Sequence, residues 1–150
     1  MRFAVRLAAA ATLGGGLAAG CADFTALEDP AFGLPDVEVE QPSFTSDVEP
    51  ILVKRCALGG CHTPGASQGG LALAPSAAYD ELVGVPAVTS GGPFQRVEPG
   101  NSANSWLVRR IQADPAPRNG LPRMPLAATP LTPNQIATIV NWIDQGALRN

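Results

Sequence analysis

The chain of 150 residues has few side chains that could carry out chemistry. It contains one histidine, three cysteines, two methionines and one tyrosine, and its formal net charge is −3. Nucleic-acid-binding proteins carry a basic patch, and this sequence has none. A hydrolase that uses a histidine base would depend on the single histidine, whose neighbours do not form the sharp turn that presents a nucleophilic serine.

Long apolar runs are also scarce, and the N-terminal one is too short to span a bilayer. Two early arginines, an apolar stretch and small residues before Cys21 are typical of an export signal. The stretch LAAGC resembles the site at which bacterial lipoproteins are cleaved and acylated, although its leucine stands four residues before the cysteine instead of three. We interpret residues 1–20 as a lipoprotein signal peptide and predict a lipid on Cys21. An ordinary signal, cleaved within the Ala/Gly stretch, is the alternative.

An acidic segment follows the signal. Residues 22–42 contain six acidic residues, three prolines and no lysine or arginine, which predicts a solvated tether over residues 21–42. Residues 43–150 carry eight basic and seven acidic side chains and would form one nearly neutral domain. With Cys21 acylated, only two cysteines remain, as a pair in an oxidising compartment.

The segment SFTSDVEPILVKRC predicts the first helix of the domain. Apolar residues and one arginine recur at helical spacing, and a serine before them can cap the helix. The proline is tolerable only near the first turns. The residues at helical spacing are Phe44, Val48, Ile51, Leu52 and Arg55, and the candidate cap is Ser43.

The segment LTPNQIATIVNWIDQGA predicts the last helix. Thr132 is a candidate N-cap, Pro133 occupies the first helical position, Gln135 completes a capping box and Gly146 can end the helix. The predicted apolar stripe consists of Ile136, Ile139, Val140 and Ile143, with Trp142 at its margin.

Shorter helices are predicted at SAAYDELV and SANSWLVRRI, and the connections between the helices are rich in glycine and proline. Four short helices with long irregular links bury little apolar surface by themselves. A large apolar cofactor at the centre would supply the missing core. We therefore expect a mainly α domain with long Gly/Pro-rich loops around such a group.

The segment CALGGCH places Cys56, Cys61 and His62 within seven positions. A cysteine followed by a histidine occurs where haem is attached covalently: the thiols add to the haem vinyl groups and the histidine ligates the iron. Two alternatives remain. A Cys56–Cys61 disulfide would make the chain a haem-free binding or structural module, and a zinc site would need a fourth ligand that no second Cys/His cluster supplies.

The spacing between the cysteines departs from the usual haem motif, which has two intervening residues. Here there are four, and the last two are Gly59 and Gly60. Glycines adopt positive φ without strain, so the extra residues can loop out and leave Cys61 and His62 in their normal relation.

One methionine remains after the signal is removed. Met124 lies in GLPRMPLAATPLT between two nearby prolines, where a rigid backbone can direct its sulfur towards a fixed point. Packing in a core is the usual role of such a methionine. Its position between the Cys-His pair and the last helix instead favours a role as the second axial ligand.

Residues 43–147 resemble the monohaem c-type cytochrome domain of exported bacterial lipoproteins. The similarity is carried, in order, by FTSDVEPILVKRC, CH, GGLAL, PGNSANSWLVRRI, RMP and LTPNQIATIVNWIDQGA. The resemblance implies a small cytochrome c-like helical fold around one haem c, with Cys56 and Cys61 as thioether sites. It also implies that His62 and Met124 are the axial iron ligands.

The resemblance implies that the protein is a single-electron carrier and not an enzyme. Redox proteins would be its partners, and the lipid would hold it in the bacterial cell envelope, in the periplasm or at the outer membrane. We expect the haem between the first and last helices. The expected wall residues are Leu71, Leu73, Leu82 and Trp106, and the candidate partners of the haem propionates are Arg96, Arg123 and Lys54.

Overall fold

The computed structural model describes residues 33–112 and 119–150. The predicted signal peptide, Cys21 and the first part of the predicted tether lie outside the described residues. Within those two ranges, no helix has the length and apolar character that a membrane span requires.

The described chain is mainly helical, as the sequence predicts. A π-helical turn, Phe44–Val48, leads directly into helix α1, Glu49–Cys56. Helices α2, Ala78–Leu82, and α3, Trp106–Ile111, are short, and α4, Pro133–Asp144, is the longest. Single 3-10 turns occur at Gln68–Gly70 and Ser102–Asn104. Strands β1, His62–Thr63, and β2, Ala66–Ser67, form an antiparallel hairpin in which His62 pairs with Ser67.

The first helical segment begins as predicted. The Ser43 hydroxyl accepts a hydrogen bond from the backbone N–H of Ser46, and the Asp47 carboxylate accepts one from the backbone N–H of Ser43 at 2.8 Å. Pro50 is the second residue of α1, at the point where the π-helical turn changes into α-helix. Four of the predicted apolar positions are buried, and so is Arg55. The helix ends at Cys56, so it delivers this cysteine to the interior.

Helix α4 begins with the predicted capping box. The Thr132 hydroxyl accepts from the Gln135 backbone N–H, and the Gln135 side chain accepts from the Thr132 backbone N–H, both at 3.2 Å. Gly146, just beyond the helix, has φ of +101°. A reciprocal cap of this kind satisfies two backbone donors that the first turn would otherwise leave open. The sequence therefore predicted both ends of this helix.

Trp142 corrects one prediction, because it lies at the centre of the core and not at the margin of the stripe. It is 1% exposed, and its ring centroid lies 5.1 Å from that of Phe44. Tyr79 packs edge-on against the same phenylalanine at 5.2 Å. The indole N–H of Trp142 donates to the Leu148 carbonyl at 2.9 Å, which satisfies its polar atom. This aromatic cluster joins the π-helical turn, α2 and α4.

Residues 36–40, which we call the strap, run along α4 and do not extend away from the domain. The strap was predicted to be part of the solvated tether, yet polar side chains one or two helical turns apart on α4 bind its backbone. Asn134 donates to the Asp36 carbonyl at 3.0 Å, and the Thr138 hydroxyl accepts from the Val39 N–H at 3.0 Å. Further hydrogen bonds join Asn141 to the carbonyl of Val39, and Gln145 to the carbonyl of Glu40.

Candidate functional site

The two cysteines of CALGGCH flank a tight turn. Helix α1 ends at Cys56, and the backbone N–H of Cys61 donates to the Leu58 carbonyl at 2.9 Å. Gly60 has φ of +82°, and a Cβ atom at either Gly59 or Gly60 would meet nothing within 4 Å. Gly59 and Gly60 are therefore exposed at the turn, with only the second glycine in the left-handed region, whereas Ala57 packs against the core and Leu58 faces the cavity.

Cys56 and Cys61 are free thiols in different surroundings. Cys56 is buried, and desolvation raises the pKa of its thiol to about 12, although the nearby charge of Arg55 acts in the opposite direction. Cys61 is only partly buried. At neutral pH, Cys56 is therefore held as a protonated, sheltered thiol.

His62 is oriented by the chain that follows it. Its Nδ1 lies 3.2 Å from the Leu71 carbonyl oxygen, and its own carbonyl accepts from the Leu73 N–H at 2.7 Å. A carbonyl oxygen can only accept, so Nδ1 carries the proton in this hydrogen bond. The lone pair of the neutral ring is then on Nε2. A backbone carbonyl on one ring nitrogen is the usual way in which a protein prepares the other for a metal.

Met124 is fixed to the end of α3. Its backbone N–H donates to the Arg110 carbonyl at 2.7 Å, and the side chain of Arg123 donates to the Ile111 carbonyl at 2.7 Å. These bonds satisfy carbonyls of the last helical turn, which have no partner within the helix. Leu121 and residues 124–128 line the cavity beside α3.

Cys56, Cys61, His62 and Met124 all line one cavity of about 450 Å³. The structure thus brings together all four residues that the sequence selected within the described domain. The wall is mostly apolar and includes the four predicted wall residues. Its apolar side chains include Leu58, Leu71, Leu73, Leu82, Ala87, Val88, Trp106, Leu107, Ile111, Leu121 and Leu126.

The position of the cavity differs from the predicted one. No described residue of α4 lines it, and the wall opposite the Cys-His segment comes from α3 and residues 121–128. Helix α4 instead packs its buried face against the π-helical turn, through Trp142 and Phe44. This cavity therefore does not lie between the first and last helices, where the sequence predicts the cofactor, because the aromatic cluster packs there.

The polar lining of the cavity is positively charged. Arg55, Arg96 and Arg110 contribute to the wall, and the described lining residues include no aspartate or glutamate. Arg96 donates to the Gly70 carbonyl at 2.8 Å, and its other terminal nitrogen lies 3.1 Å from the Glu81 carboxylate. Such a wall favours a ligand that is largely apolar and carries anionic groups.

Of the three basic residues predicted near the cofactor propionates, one lines the cavity and two lie elsewhere. Arg96 lines the cavity, whereas Lys54 is exposed on α1 and Arg123 lies in a separate groove beside α4. Arg55 and Arg110 were not selected. The signal for Arg55 was present, since it falls on the apolar stripe of the first helix, where a charged residue has a specific partner.

Within the described ranges, no group of three or more histidine, cysteine, aspartate or glutamate side chains is arranged to hold a metal ion. The zinc alternative requires further protein ligands of this kind, and this part of the chain does not supply them. Comparison with protein-family models, with curated proteins and with solved structures finds no match for the chain.

Proposed function

We propose that this protein is a monohaem c-type cytochrome with a cytochrome c-like fold, which carries single electrons. Cys56 and Cys61 would hold the haem through thioether bonds, and His62 and Met124 would be its axial ligands. The observation that carries the proposal is the convergence of these four side chains on one apolar cavity. The chain has no other histidine, and this one has its Nδ1 bonded to a carbonyl, which leaves Nε2 for a metal.

The lining of the cavity fits the chemistry of haem. The porphyrin is a broad apolar ring that matches the leucine-rich wall, and its two propionates are anions. Arginines in the wall can neutralise such anions by charge-assisted hydrogen bonds, and no carboxylate among the described lining residues would repel them. A thiol adds across a vinyl double bond without an oxidant, since its hydrogen passes to the second vinyl carbon. Two thiols beside the histidine therefore suit covalent attachment.

When bound, haem supplies an iron that takes up and releases one electron. The chain's contribution is to fix the donors and the environment. The Leu71 carbonyl holds the imidazole of His62 in one tautomer, the bond to Arg110 holds the backbone of Met124, and the apolar wall excludes water. Histidine and methionine together fill both axial positions and raise the reduction potential, which suits electron transfer and not catalysis.

The location and partners belong to the same proposal. A lipid on Cys21 would anchor the domain to a membrane of the bacterial cell envelope, and redox proteins would be its partners. The nearly neutral charge of residues 43–150 gives no support for nucleic acid as a partner.

The proposal is tested by a pyridine haemochrome spectrum of the full-length protein, produced in a host that exports proteins and matures c-type cytochromes. A spectrum of the c type, at one haem per chain, supports it. A colourless, folded protein from a host that matures a control cytochrome would contradict it and favour the disulfide module.

A further inference from the structure

The segment that carries Met124 is held at its two ends. At its start, the Met124 N–H donates to the Arg110 carbonyl at 2.7 Å. At its far end, the Arg55 guanidinium donates to the carbonyls of Thr129 and Pro130, the second at 3.2 Å. Within the described part of the chain, Leu126 and Ala127 form a turn, and no hydrogen bond joins residues 125–128 to another segment. We call residues 124–130 the methionine loop.

Arg55 connects this loop to the helix that carries the first cysteine. It is 2% exposed, it precedes Cys56 in α1, and it lines the same cavity. A guanidinium offers several donors in a fixed plane, so one side chain can bind two successive carbonyls. Both bonds come from one nitrogen, Nη2, at the end of this rigid planar group. The far end of the methionine loop is thus attached directly to the Cys-bearing wall of the cavity.

We propose that Arg55 is a positioning residue that keeps the methionine loop closed, so that the Met124 sulfur stays in reach of the metal. The inference rests on the proposed haem function. Without Arg55, the loop would lose its hydrogen bonds to the Cys-bearing wall, and residues 125–130 would be held only by the Met124 bond at one end and by the buried Leu131 beyond the other, so the loop would open more often. The histidine side of the site is independent, because His62 is held by Leu71 and not by this loop.

The test compares holoproteins of the wild type, Arg55→Gln and Arg109→Gln. Arg109 is a matched control, since its guanidinium also donates to a backbone carbonyl, that of Ala103 at 2.8 Å, but it lies outside the cavity and the loop. The first readout is the rate at which cyanide binds the ferric protein, which depends on release of the methionine. The second is the weak long-wavelength absorption band of methionine-ligated ferric haem.

We expect Arg55→Gln to bind cyanide faster by on the order of tenfold or more, since hydrogen bonds from a charged donor are lost. Its methionine band should weaken, while Arg109→Gln should match the wild type. Equal rates in all three proteins, or equal acceleration by both variants, would overturn the inference. If Arg55→Gln does not fold, Arg55→Leu, which offers no donor at this position, decides: a rate faster than that of the wild type supports the inference, and the wild-type rate overturns it. A wild-type protein without haem would instead contradict the proposed function itself.

Discussion

Replacement of His62 by alanine should remove haem and most of the stability of the domain. The cavity measures about 450 Å³ and its wall is apolar. An enclosed, dry apolar cavity costs about 24 cal/mol per Å³, so ~11 kcal/mol is the upper bound for leaving this partly open cavity empty. Small domains have a total stability of about 5–15 kcal/mol. The cofactor is therefore expected to decide whether the domain folds, and the histidine to decide whether the cofactor is stably inserted before it is attached.

The assay combines haem content with thermal unfolding followed by far-ultraviolet circular dichroism. We expect His62→Ala to be colourless and largely unfolded at room temperature. Met124→Ala is the matched control at the opposite wall: it should keep its haem, through the thioethers and the histidine, and melt at a lower temperature than the wild type. A His62→Ala protein with full colour and an unchanged melting temperature would refute the reasoning.

Three further predictions concern attachment, anchoring and the strap. Cys61→Ala should lower the yield of haem protein more than Cys56→Ala, because Cys61 adjoins the histidine ligand; equal loss in the two variants, measured by haem stain after denaturing electrophoresis, would contradict this. Cys21→Ser should move the protein from the membrane fraction to the soluble fraction with unchanged haem content, and sedimentation with membranes after a high-salt wash would refute the lipid anchor. Asn141→Ala removes hydrogen bonds to the Val39 carbonyl and the Glu38 carboxylate, both 3.1 Å long. It should therefore lower the free energy of unfolding by about 1–2 kcal/mol in urea titrations and speed up amide exchange at Val39. Unchanged exchange would show that the strap does not depend on this side chain.

The sequence was most informative where local rules determine the structure. The capping box at Thr132 and Gln135 depends only on residues three positions apart, and both of its hydrogen bonds are present. The left-handed Gly60 and the helix that ends at Cys56 were also accessible from short patterns. Site residues could be selected by elimination, because the chain offers one histidine and, after the signal, one methionine.

Packing between distant segments was less accessible. In the sequence, Trp142 falls at the margin of the apolar stripe of α4. That position does not indicate that Phe44 and Tyr79 pack against Trp142, or that the cavity lies away from α4. The two carbonyls that Arg55 binds, those of Thr129 and Pro130, lie 74 and 75 residues further along the chain. Backbone carbonyls carry no sequence signal, so their partners cannot be identified from residue types.

The strap shows the same limit in a charged segment. Its composition is that of a solvated chain, and the acidic residues do remain at the surface. Its backbone binds side chains of α4 such as Asn134 and Asn141, which in the sequence form an ordinary polar helix face. The carboxylates of Asp36 and Glu38 also accept hydrogen bonds, from Thr132 and Asn141.

The intact mass of the denatured protein tests the central claim most directly. Denaturation removes any haem that is held only by axial ligands or packing, so a haem that remains must be bonded to the chain. For protein matured in an exporting host, we expect the mass of the processed chain increased by one haem, with no thiol available at Cys56 or Cys61 for alkylation. A mass lower by two hydrogens, with no added haem, would establish the Cys56–Cys61 disulfide and contradict the electron-carrier proposal.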